Sequence, residues 1–533
     1  MAMCKLFCHY RLIHLQVKTA ASAVTIVIVT TLASCTNVGP NFVDLEPEAL
    51  PEWSQPVQQG LQTMPNELVE WWRVFDDPVL DKLVELARSN NNSLEIAGLR
   101  VLEAQAQLGI ATGLQYPQTQ AASGAATRIS PAENTGATSD IWQHSLAAGV
   151  SWEIDFWGRF RRGIESADAT YLASIAAYDQ ALVLLTAAVA DSYAVIRITE
   201  EQLRIAHENL KIQKRSYDIA SVLFRNGAAS ELDMQQAETL LLATQATIPD
   251  LEASLKQARN ALSILLAQQP GQLEDLLRGS EGIVPLPDTV AVGFPADTLR
   301  RRPDVRQAEL LAMAQNARIG LAKADLYPSF SLTGSIGLSS SGSDSDFGDL
   351  FSSDALTFSV GPSFVWPFLN YGRIKNNVRV QDVRFQQSLV NYRETVLQAA
   401  RETEDAMAAY IGSRQQSVIM EKTVTSARRS NDLSTLRYRE GFADYQRVLN
   451  AQQSLFTQQQ RYATVLGGGF RNLVALYKAM GGGWESREGL AYIDAETARQ
   501  MQQRTDWGDM IENAGSVEAD ARTDNEYEQA EAE

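Results

Sequence analysis

The sequence contains few residues that bind metals or carry out nucleophilic catalysis. Among 533 residues there are four histidines and three cysteines, namely Cys4, Cys8 and Cys35. Beyond position 35 the only histidines are His144 and His207, too few for a His-rich metal site. The phosphate-binding loop, the nucleophile elbow and the HExxH zinc motif are also absent. These absences argue against an enzyme and against a bound cofactor.

Long apolar runs are equally rare. The mean hydropathy is -0.19, and the repeated apolar runs of about 20 residues that define a helical-bundle membrane protein do not occur. The single run, residues 20–32, follows Lys5, Arg11 and Lys18. A basic start followed by a short apolar run is typical of a signal peptide, which we predict over residues 1–34.

The sequence Leu-Ala-Ser-Cys that ends at Cys35 resembles a bacterial lipobox, whose cysteine carries a lipid after cleavage. In an ordinary signal peptide cleaved nearby, Cys35 would be incidental. Cys4 and Cys8 fall in the removed part, so Cys35 would be the only thiol of the mature chain. A lone exported thiol favours a covalent lipid on Cys35. Thr36 follows, rather than the Asp that favours inner-membrane retention in this lipoprotein class, so we expect an outer-membrane protein in contact with its lipid.

Positive charge is also scarce. The chain has 46 Lys and Arg against 64 Asp and Glu, a formal net charge of -18, which makes nucleic acid an improbable partner. Residues 509–533 carry nine acids, one Arg and almost no large apolar side chain. Such a segment cannot bury enough surface to fold, and we predict an acidic, disordered tail over residues 485–533.

The chain contains an internal duplication. "RNGAASELDMQQAETLL" begins at Arg225 and "REGFADYQRVLNAQQSL" at Arg439, an offset of 214 residues. Gly158 and Gly372, each followed by Arg, have the same offset. Repeats with a fixed offset indicate one structural unit used twice. The predicted organisation is an N-terminal anchor and equatorial segment over 35–90, a first repeat over 91–280, a linker over 281–302 and a second repeat over 303–484.

Each repeat contains two stretches in which apolar and small or polar residues alternate. The clearest apolar series are Trp142, Leu146, Val150, Trp152, Ile154 and Phe156 in the first repeat, and Leu356, Phe358, Val360, Phe364, Trp366 and Phe368 in the second. Alternation over about ten residues is typical of an outer-membrane β-strand, and equally of a soluble sandwich strand. Four strands cannot close a barrel with a lumen. If these strands enter a membrane, several chains must share one barrel.

Very long helices make up most of the rest, so the predicted fold class is mainly α with membrane β-strands. Residues 164–226 contain neither Gly nor Pro, which corresponds to roughly 95 Å of helix. Residues 374–440 match them and contain only Gly412. Each stretch ends at a glycine, Gly227 or Gly441, which we interpret as a turn before a return helix in antiparallel packing.

Two triple-glycine sequences interrupt the last part of the chain, "GGGF" at 467–470 and "GGGW" at 481–484. Neither follows a predicted strand, so neither has the context of a phosphate-binding loop. We interpret both as flexible or closely packed backbone at helix ends.

A strand-to-helix joint occurs in each repeat. The first joint is Trp157, Gly158 and Arg159, and the second is Tyr371, Gly372 and Arg373. We predict that the glycines permit the bend, that the aromatic residues lie at the membrane interface and that the arginines face the aqueous side.

Six motifs together resemble one known family. They are "CTNVGPNF" at 35–42, "WWRVFDDPVLDKLVELA" at 71–87, "WEIDFWGR" at 152–159, "RRPDVRQAE" at 301–309, "LYPSFSLTG" at 326–334 and "LYKAMGGGW" at 476–484. The chain resembles the outer-membrane efflux factors of the TolC type, and most closely the lipoprotein branch that serves RND multidrug pumps. The resemblance implies a homotrimer whose four strands per chain form a twelve-stranded barrel, continued by an α-helical barrel across the periplasm.

The resemblance also implies partners and a function. The expected partners are a periplasmic adaptor of the membrane-fusion type and an inner-membrane RND pump, and the expected function is passive export of drugs or other small molecules. Two alternatives remain: an exit duct for type I protein secretion, and a structural coiled-coil lipoprotein without a pore.

The helix turns are the candidate periplasmic gate. In the TolC-type family, ionic contacts between neighbouring helix pairs at this tip hold the duct closed. The repeats differ here, because Asp233 of the first corresponds to Arg447 of the second. The candidates are Asp233, Asp444, Arg447 and Asn450, with Arg447 expected to pair with Asp233 or Asp444 across a helix-pair or subunit boundary. Asp233 also fits a capping box with Ser230, and a solvated Arg447 is the simpler alternative.

Overall fold

The computed structural model describes most of the chain in two compact units. The described residues are 37–46, 52–54, 61–63, 69–130, 140–278, 282–283, 286–287, 289–293, 295–342, 345–487 and 491–511. The first unit comprises residues 1–44, 104–171 and 310–389, and the second comprises 45–103, 172–309 and 390–533. The predicted signal peptide, Cys35 and residues 512–533 lie outside the described residues.

Helices dominate the described part of the chain. They are α1 (Pro78–Asn90), α2 (Asn92–Gly113), α3 (Arg159–Arg225), α4 (Glu231–Leu265), α5 (Pro295–Arg301), α6 (Pro303–Ala324), α7 (Arg373–Arg439), α8 (Tyr445–Ala479) and α9 (Ala495–Arg504). The two long helices expected from the absence of Gly and Pro are α3 and α7, of 67 residues each. Gly412 lies inside α7, and a Cβ built there meets nothing within 4 Å, so packing does not require glycine at this position.

The first unit contains a four-stranded antiparallel sheet. Its strands are β2 (Thr119–Ile129), β3 (Ile141–Ile154), β5 (Ser329–Gly342) and β6 (Leu356–Val365), in the order β2-β3-β5-β6. The four alternating stretches of the sequence are therefore four paired strands. Two three-residue strands in the second unit, β1 (Leu61–Thr63) and β4 (Val290–Val292), form a separate parallel pair.

The register gives this sheet two chemically different faces. Ile336 of β5 lies opposite Ala148 of β3 and Phe358 of β6, and residues directly opposite each other share a face. Ile336 is 58% exposed and Phe358 78%, so the apolar face is uncovered within one chain. On the other face Ser335 lies opposite Ser359, and their hydroxyl oxygens are 2.8 Å apart.

The second unit packs first-repeat helices against second-repeat helices. Asn209 of α3 donates from Nδ2 to Oε1 of Gln459 on α8 at 2.8 Å, and Gln452 donates to the Ser216 hydroxyl at 2.6 Å. By length and composition α3 could cross a membrane, but 61% of its apolar window is buried inside the protein. The apolar window of α3 is therefore explained by its burial in the helical core.

The "GGGF" sequence lies inside α8, and its interpretation as helix-end backbone is wrong. A Cβ at Gly467 would come within 1.9 Å of the Ile198 side chain on α3, so glycine is required by a close helix–helix approach. "GGGW" does follow a helix end, because Gly481 and Gly483 have positive φ just after α8.

The predicted disorder of residues 485–533 is wrong for their first part. Residues 495–504 form α9, which begins with Asp494 accepting hydrogen bonds from the backbone N–H groups of Glu496 and Thr497. The Thr497 hydroxyl donates to Glu95 on α2 at 2.6 Å, and Met501 is buried. The acidic composition of this segment did not indicate that it contains a capped amphipathic helix, which contacts α2 within the second unit.

Candidate functional site

The first strand-to-helix joint is held by an aromatic stack. The Trp157 ring lies on the Tyr327 ring with centroids 4.6 Å apart and planes 23° apart. Its indole Nε1 donates to the Pro328 carbonyl at 2.9 Å. Gly158 follows with φ of +73°, a left-handed conformation that glycine adopts without steric penalty. The bend between β3 and α3 is therefore fixed by the contacts of Trp157 and by the left-handed backbone of Gly158.

An N-terminal segment, residues 37–41, packs directly onto this joint. The Val38 N–H donates to the Trp157 carbonyl at 3.1 Å, and a Cβ on Gly158 would lie 2.1 Å from Oδ1 of Asn37. A Cβ on Gly39 would lie 2.5 Å from the Gly320 Cα on α6. Two backbones cross here without side chains between them, and any larger residue would separate them.

Arg162 connects this segment to the start of α3. Its side chain is 3% exposed and forms an ion pair with Glu165 at 2.6 Å. It also donates to Oδ1 of Asn41 at 2.7 Å and to the Val38 carbonyl at 3.4 Å. A buried guanidinium needs several acceptors, and here two of them come from the N-terminal segment.

Arg159 lies at the water-accessible edge of the joint. Its guanidinium is 3.2 Å from Glu153 and 3.6 Å from Asp325, and its side chain is 43% exposed. Ion pairs this exposed contribute on the order of 1 kcal/mol or less. The orientation of Arg159 toward the aqueous side of a membrane stays a prediction.

The second joint has two consecutive residues with positive φ where the first has one, and no segment among the described residues covers it as residues 37–41 cover the first. Tyr371 and Gly372 have φ of +49° and +83°, and the atom nearest a Cβ on Gly372 is Nδ2 of Asn376 at 3.8 Å. Tyr371 is 98% exposed, whereas its counterpart Trp157 is stacked. Arg373, the first residue of α7, is also exposed.

A tryptophan five residues before each joint makes the same hydrogen bond. Trp152 donates from Nε1 to the Gln115 carbonyl, and Trp366 donates to the Leu326 carbonyl, each at 3.1 Å. An indole with its polar edge bonded and its ring half-exposed is typical of membrane interfaces.

The helix turns of the second unit close as glycine caps. Gly227 and Gly441 have φ of +73° and +78°. The N–H groups of Ala228 and Phe442 each donate to a carbonyl five residues earlier at 2.8 Å, the hydrogen bond of a Schellman motif. Ser230 and Asp233 then form a complete capping box at the start of α4.

The gate candidates of the second repeat pair locally. Arg447 lies 3.8 Å from Asp444, three residues earlier, and the two side chains are 70% and 68% exposed. Within one chain this contact lies at the start of α8, and pairing of Arg447 across a helix-pair or subunit boundary stays a prediction. Asn450 accepts a hydrogen bond from Gln446 at 3.0 Å.

Comparison with known proteins assigns the family. The profile described as "Outer membrane efflux protein" matches residues 83–268 and 294–482. The chain belongs to the outer membrane efflux protein family. It is 30% identical to "Probable outer membrane lipoprotein SilC" of Salmonella typhimurium over 85% of this chain and 96% of the relative. It is 31% identical to "Cation efflux system protein CusC" of Escherichia coli O6:H1 (strain CFT073) over 81% of this chain and 94% of that protein.

A solved structure agrees with this assignment. The outer-membrane channel OprN superposes with a TM-score of 0.78 and 30% identity, over 84% of this chain and all of that chain. The protein is therefore an outer-membrane efflux channel with a mainly helical fold. Among the residues that the structure describes, no cluster of His, Cys, Asp and Glu could hold a metal ion.

The efflux channel contains a buried ion pair that joins its C-terminal segment to the helical unit. Arg487 pairs with both carboxylate oxygens of Asp179, and Asp179 is 2% exposed. The guanidinium lies over the Tyr492 ring at 5.2 Å. Burial raises the pKa of the Asp179 carboxyl, and the adjacent Arg487 opposes that rise. Burial likewise raises the pKa of Tyr492.

Sequence reasoning missed the residues that join distant segments. Arg162, Asn37 and Gly320 meet at the first joint, and Asp179 meets Arg487 across 308 positions. The motifs "CTNVGPNF" and "WEIDFWGR" contain Asn37 and flank Arg162, but the sequence analysis derived no contact between them. Composition and periodicity carry no information on which distant residues meet.

Proposed function

We propose that this efflux channel is the passive exit duct of a tripartite system, assembled as a homotrimer. The observation that carries the proposal is the sheet with one apolar and one hydroxyl-rich face. Four strands are too few to enclose a lumen, whereas twelve from three copies are enough. In the assembled barrel the Ile336 face contacts lipid and the Ser335 face lines the duct. The long helices continue the duct as an α-helical barrel in the periplasm.

The proposed duplication rests on three parallel features. Helices α3 and α7 each have 67 residues, and α4 and α8 each have 35. The family profile matches the chain twice. Trp152 and Trp366, 214 positions apart, donate the same hydrogen bond. These similarities support one hairpin unit used twice per chain.

The transported molecules would be small solutes delivered by an RND pump through a periplasmic adaptor. Strands β5 and β6 contain no charged residue, so the part of the proposed barrel wall that they form is neutral. The relative CusC is named for a cation efflux system. We propose no catalytic role.

Two observations argue against the alternative functions. The lipobox and the "GGGW" ending favour the pump-linked branch over type I protein secretion, and a coiled-coil spacer would not need a two-faced sheet.

Two adjacent cysteine substitutions test the duct. Ser335→Cys and Ile336→Cys lie on opposite faces of β5, and no other cysteine follows Cys35. In planar bilayers, a bulky water-soluble thiol reagent should reduce conductance of Ser335→Cys channels and leave Ile336→Cys and unsubstituted channels unchanged. The native mass in mild detergent should equal three chains. A folded monomer, or equal block of both variants, contradicts the proposal.

A lipid anchor on Cys35 is part of the proposal. Asn37, two residues later, packs on Gly158 at the first joint. Because two residues span at most about 7 Å, the lipid would enter the membrane close to this joint. Radiolabelled palmitate should label the wild-type protein and fail to label Cys35→Ser. Equal labelling of both proteins would refute the anchor.

The helix turns at Gly227 and Gly441 are proposed as the gate, with Asp233, Asp444, Arg447 and Asn450 contributing to its closed state. In a trimer, three copies of a contact worth about 1 kcal/mol or less can bias a two-state opening. We expect Arg447→Ala and Asp233→Ala each to raise the conductance of the closed channel, and the double variant to raise it less than additively. Wild-type closed-state conductance in all three variants would place the gate elsewhere.

A further inference from the structure

A cavity of about 630 Å³ lies within the second unit, beside α1. We call it the α1 cavity. Trp72, Leu94 and Leu182 line it and are each at most 4% exposed, so it has an apolar floor. Another part of its wall comes from residues 486–487 and 491–494, which follow the last position that the family profile matches. Its volume is in the range of small-molecule binding sites, about 300–1,000 Å³.

Helix α1 contributes a line of three charged side chains to this cavity. Asp81, Glu85 and Arg88 all belong to its lining. Residues three, four and seven positions apart lie on one face of a helix, and seven residues correspond to about 10 Å along the helix axis. One face of α1 therefore carries two carboxylates followed by a guanidinium, in a fixed order and at a fixed spacing.

The guanidinium of Arg88 has no anion as partner. Its Nη2 donates to the Ser486 carbonyl at 2.9 Å, but within the described part of the chain it forms no ion pair. Burial lowers the pKa of the Arg88 guanidinium, and Tyr178, Glu70 and Glu85 oppose this only in part. Four other arginines with side chains at most 18% exposed each have a carboxylate partner, namely Arg162, Arg197, Arg302 and Arg487.

The carboxylate of Asp81 has the opposite deficit. Its Oδ1 is buried, and no residue that the structure describes donates a hydrogen bond to it. Burial raises the pKa of the Asp81 carboxyl, and Arg73 opposes this rise. Glu85 likewise forms no ion pair among the described residues, whereas Glu95 of the same lining accepts from the Thr497 hydroxyl at 2.6 Å. The cavity thus holds an unpaired cation at one end of the line and unpaired carboxylates at the other.

A ligand with opposite charges at its two ends satisfies both groups. Asp81 and Arg88 are two helical turns apart and do not pair with each other. An extended di- or tripeptide spans about 7–10 Å and carries an ammonium at one end and a carboxylate at the other. A purely anionic ligand would meet the carboxylates of Asp81 and Glu85, and a purely cationic ligand would meet the guanidinium of Arg88.

We propose that the α1 cavity binds a short zwitterionic peptide, with its carboxylate paired to Arg88 and its ammonium to Asp81 and Glu85. A guanidinium pairs with a carboxylate through two parallel hydrogen bonds. Trp72 and Leu94 supply the apolar contact for a side chain of the peptide. The inference depends on the cavity alone and not on the proposed duct.

Calorimetry on the full chain in mild detergent tests the ligand class. Alanyl-leucyl-alanine with free termini should bind in one saturable step. Its N-acetylated and C-amidated forms should each bind at least about tenfold more weakly, because each loses one charge-assisted pair. Equal affinity for the three peptides, or a dissociation constant above about 10 mM for the free peptide, overturns the proposal.

Substitutions assign each end of the peptide to its partner. Arg88→Met should lower affinity for the free peptide at least about tenfold and leave affinity for the amidated peptide within about twofold, because that peptide lacks the carboxylate. Asp81→Asn/Glu85→Gln should behave in the same way toward the free and acetylated peptides. Arg100→Met, at an exposed position of α2 outside the lining, should preserve all three affinities. Equal losses for free and modified peptides would mean that these side chains only support the fold, which also overturns the proposal.

Discussion

Arg487→Met should lower the free energy of unfolding by about 3–5 kcal/mol, the cost of leaving one partner of a buried ion pair without the other. Asp179 is 2% exposed and its charge is paired with Arg487. Met keeps most of the side-chain volume, so the loss reports on charge rather than on a cavity. Denaturant unfolding in detergent at fixed protein concentration measures it. Residues 485–511 should also become more sensitive to protease, because they lose this attachment.

The effect of Arg487→Met should depend on pH. Burial raises the pKa of Asp179 in the folded protein, and removing the arginine removes the charge that opposes this rise. The folded variant then binds a proton more tightly than the unfolded chain does. Stability contributed by that proton is present at low pH and is lost as pH rises through the raised pKa. Lowering the pH should therefore partly restore the variant toward wild-type stability.

Arg499→Met is the control for this prediction. Arg499 lies on α9 in the same segment and pairs with Glu496, but its side chain is 63% exposed. An exposed pair contributes about 1 kcal/mol or less, so its loss should be small and nearly independent of pH. Similar losses for Arg487→Met and Arg499→Met would mean that the Asp179 pair does not hold the C-terminal segment.

Gly158→Ala should release the N-terminal segment from the first joint. The new Cβ would lie 2.1 Å from Oδ1 and 3.0 Å from Cα of Asn37, distances that require the segment to move. The left-handed backbone adds roughly 1–2 kcal/mol for any residue with a Cβ. In the wild-type protein the Val38 N–H donates to the Trp157 carbonyl. In the variant, hydrogen exchange of this N–H should accelerate at least about tenfold.

Gly372→Ala separates the two effects of Gly158→Ala, the clash with Asn37 and the strain of a left-handed backbone. Gly372 has a similar φ of +83°, but the nearest atom to its Cβ is 3.8 Å away. It should lose a comparable amount of stability through backbone strain and leave Val38 exchange unchanged. Asn37→Ala should partly restore protection in Gly158→Ala, since the closest clash is with the Asn37 side chain. Equal acceleration of Val38 exchange in the two glycine variants would contradict the docking of this segment.

The sequence by itself determined the main helices and strands of this protein, because their signals are local. Period-two alternation determined the four strands of the sheet, because successive side chains of a strand point to opposite faces. The lack of Gly and Pro over 164–226 indicated most of α3, which begins five residues earlier at Arg159 and includes Gly163. Gly227 with Ser230 indicated where α3 ends and α4 begins. Each of these signals depends on residues within a few positions of one another.

The tertiary structure alone decided which distant segments meet. Nothing near Asp179 in sequence indicates Arg487, and nothing in Gly467 indicates the Ile198 side chain that excludes a larger residue there. The two joints have similar sequences, yet only Gly158 is covered by residues 37–41, since only there do Gly39 and Gly320 allow two backbones to cross. Composition also failed for α9, because it does not show that Met501 is buried or that Thr497 donates a hydrogen bond to Glu95 on α2. Such contacts depend on three-dimensional proximity, which residue order and periodicity do not encode.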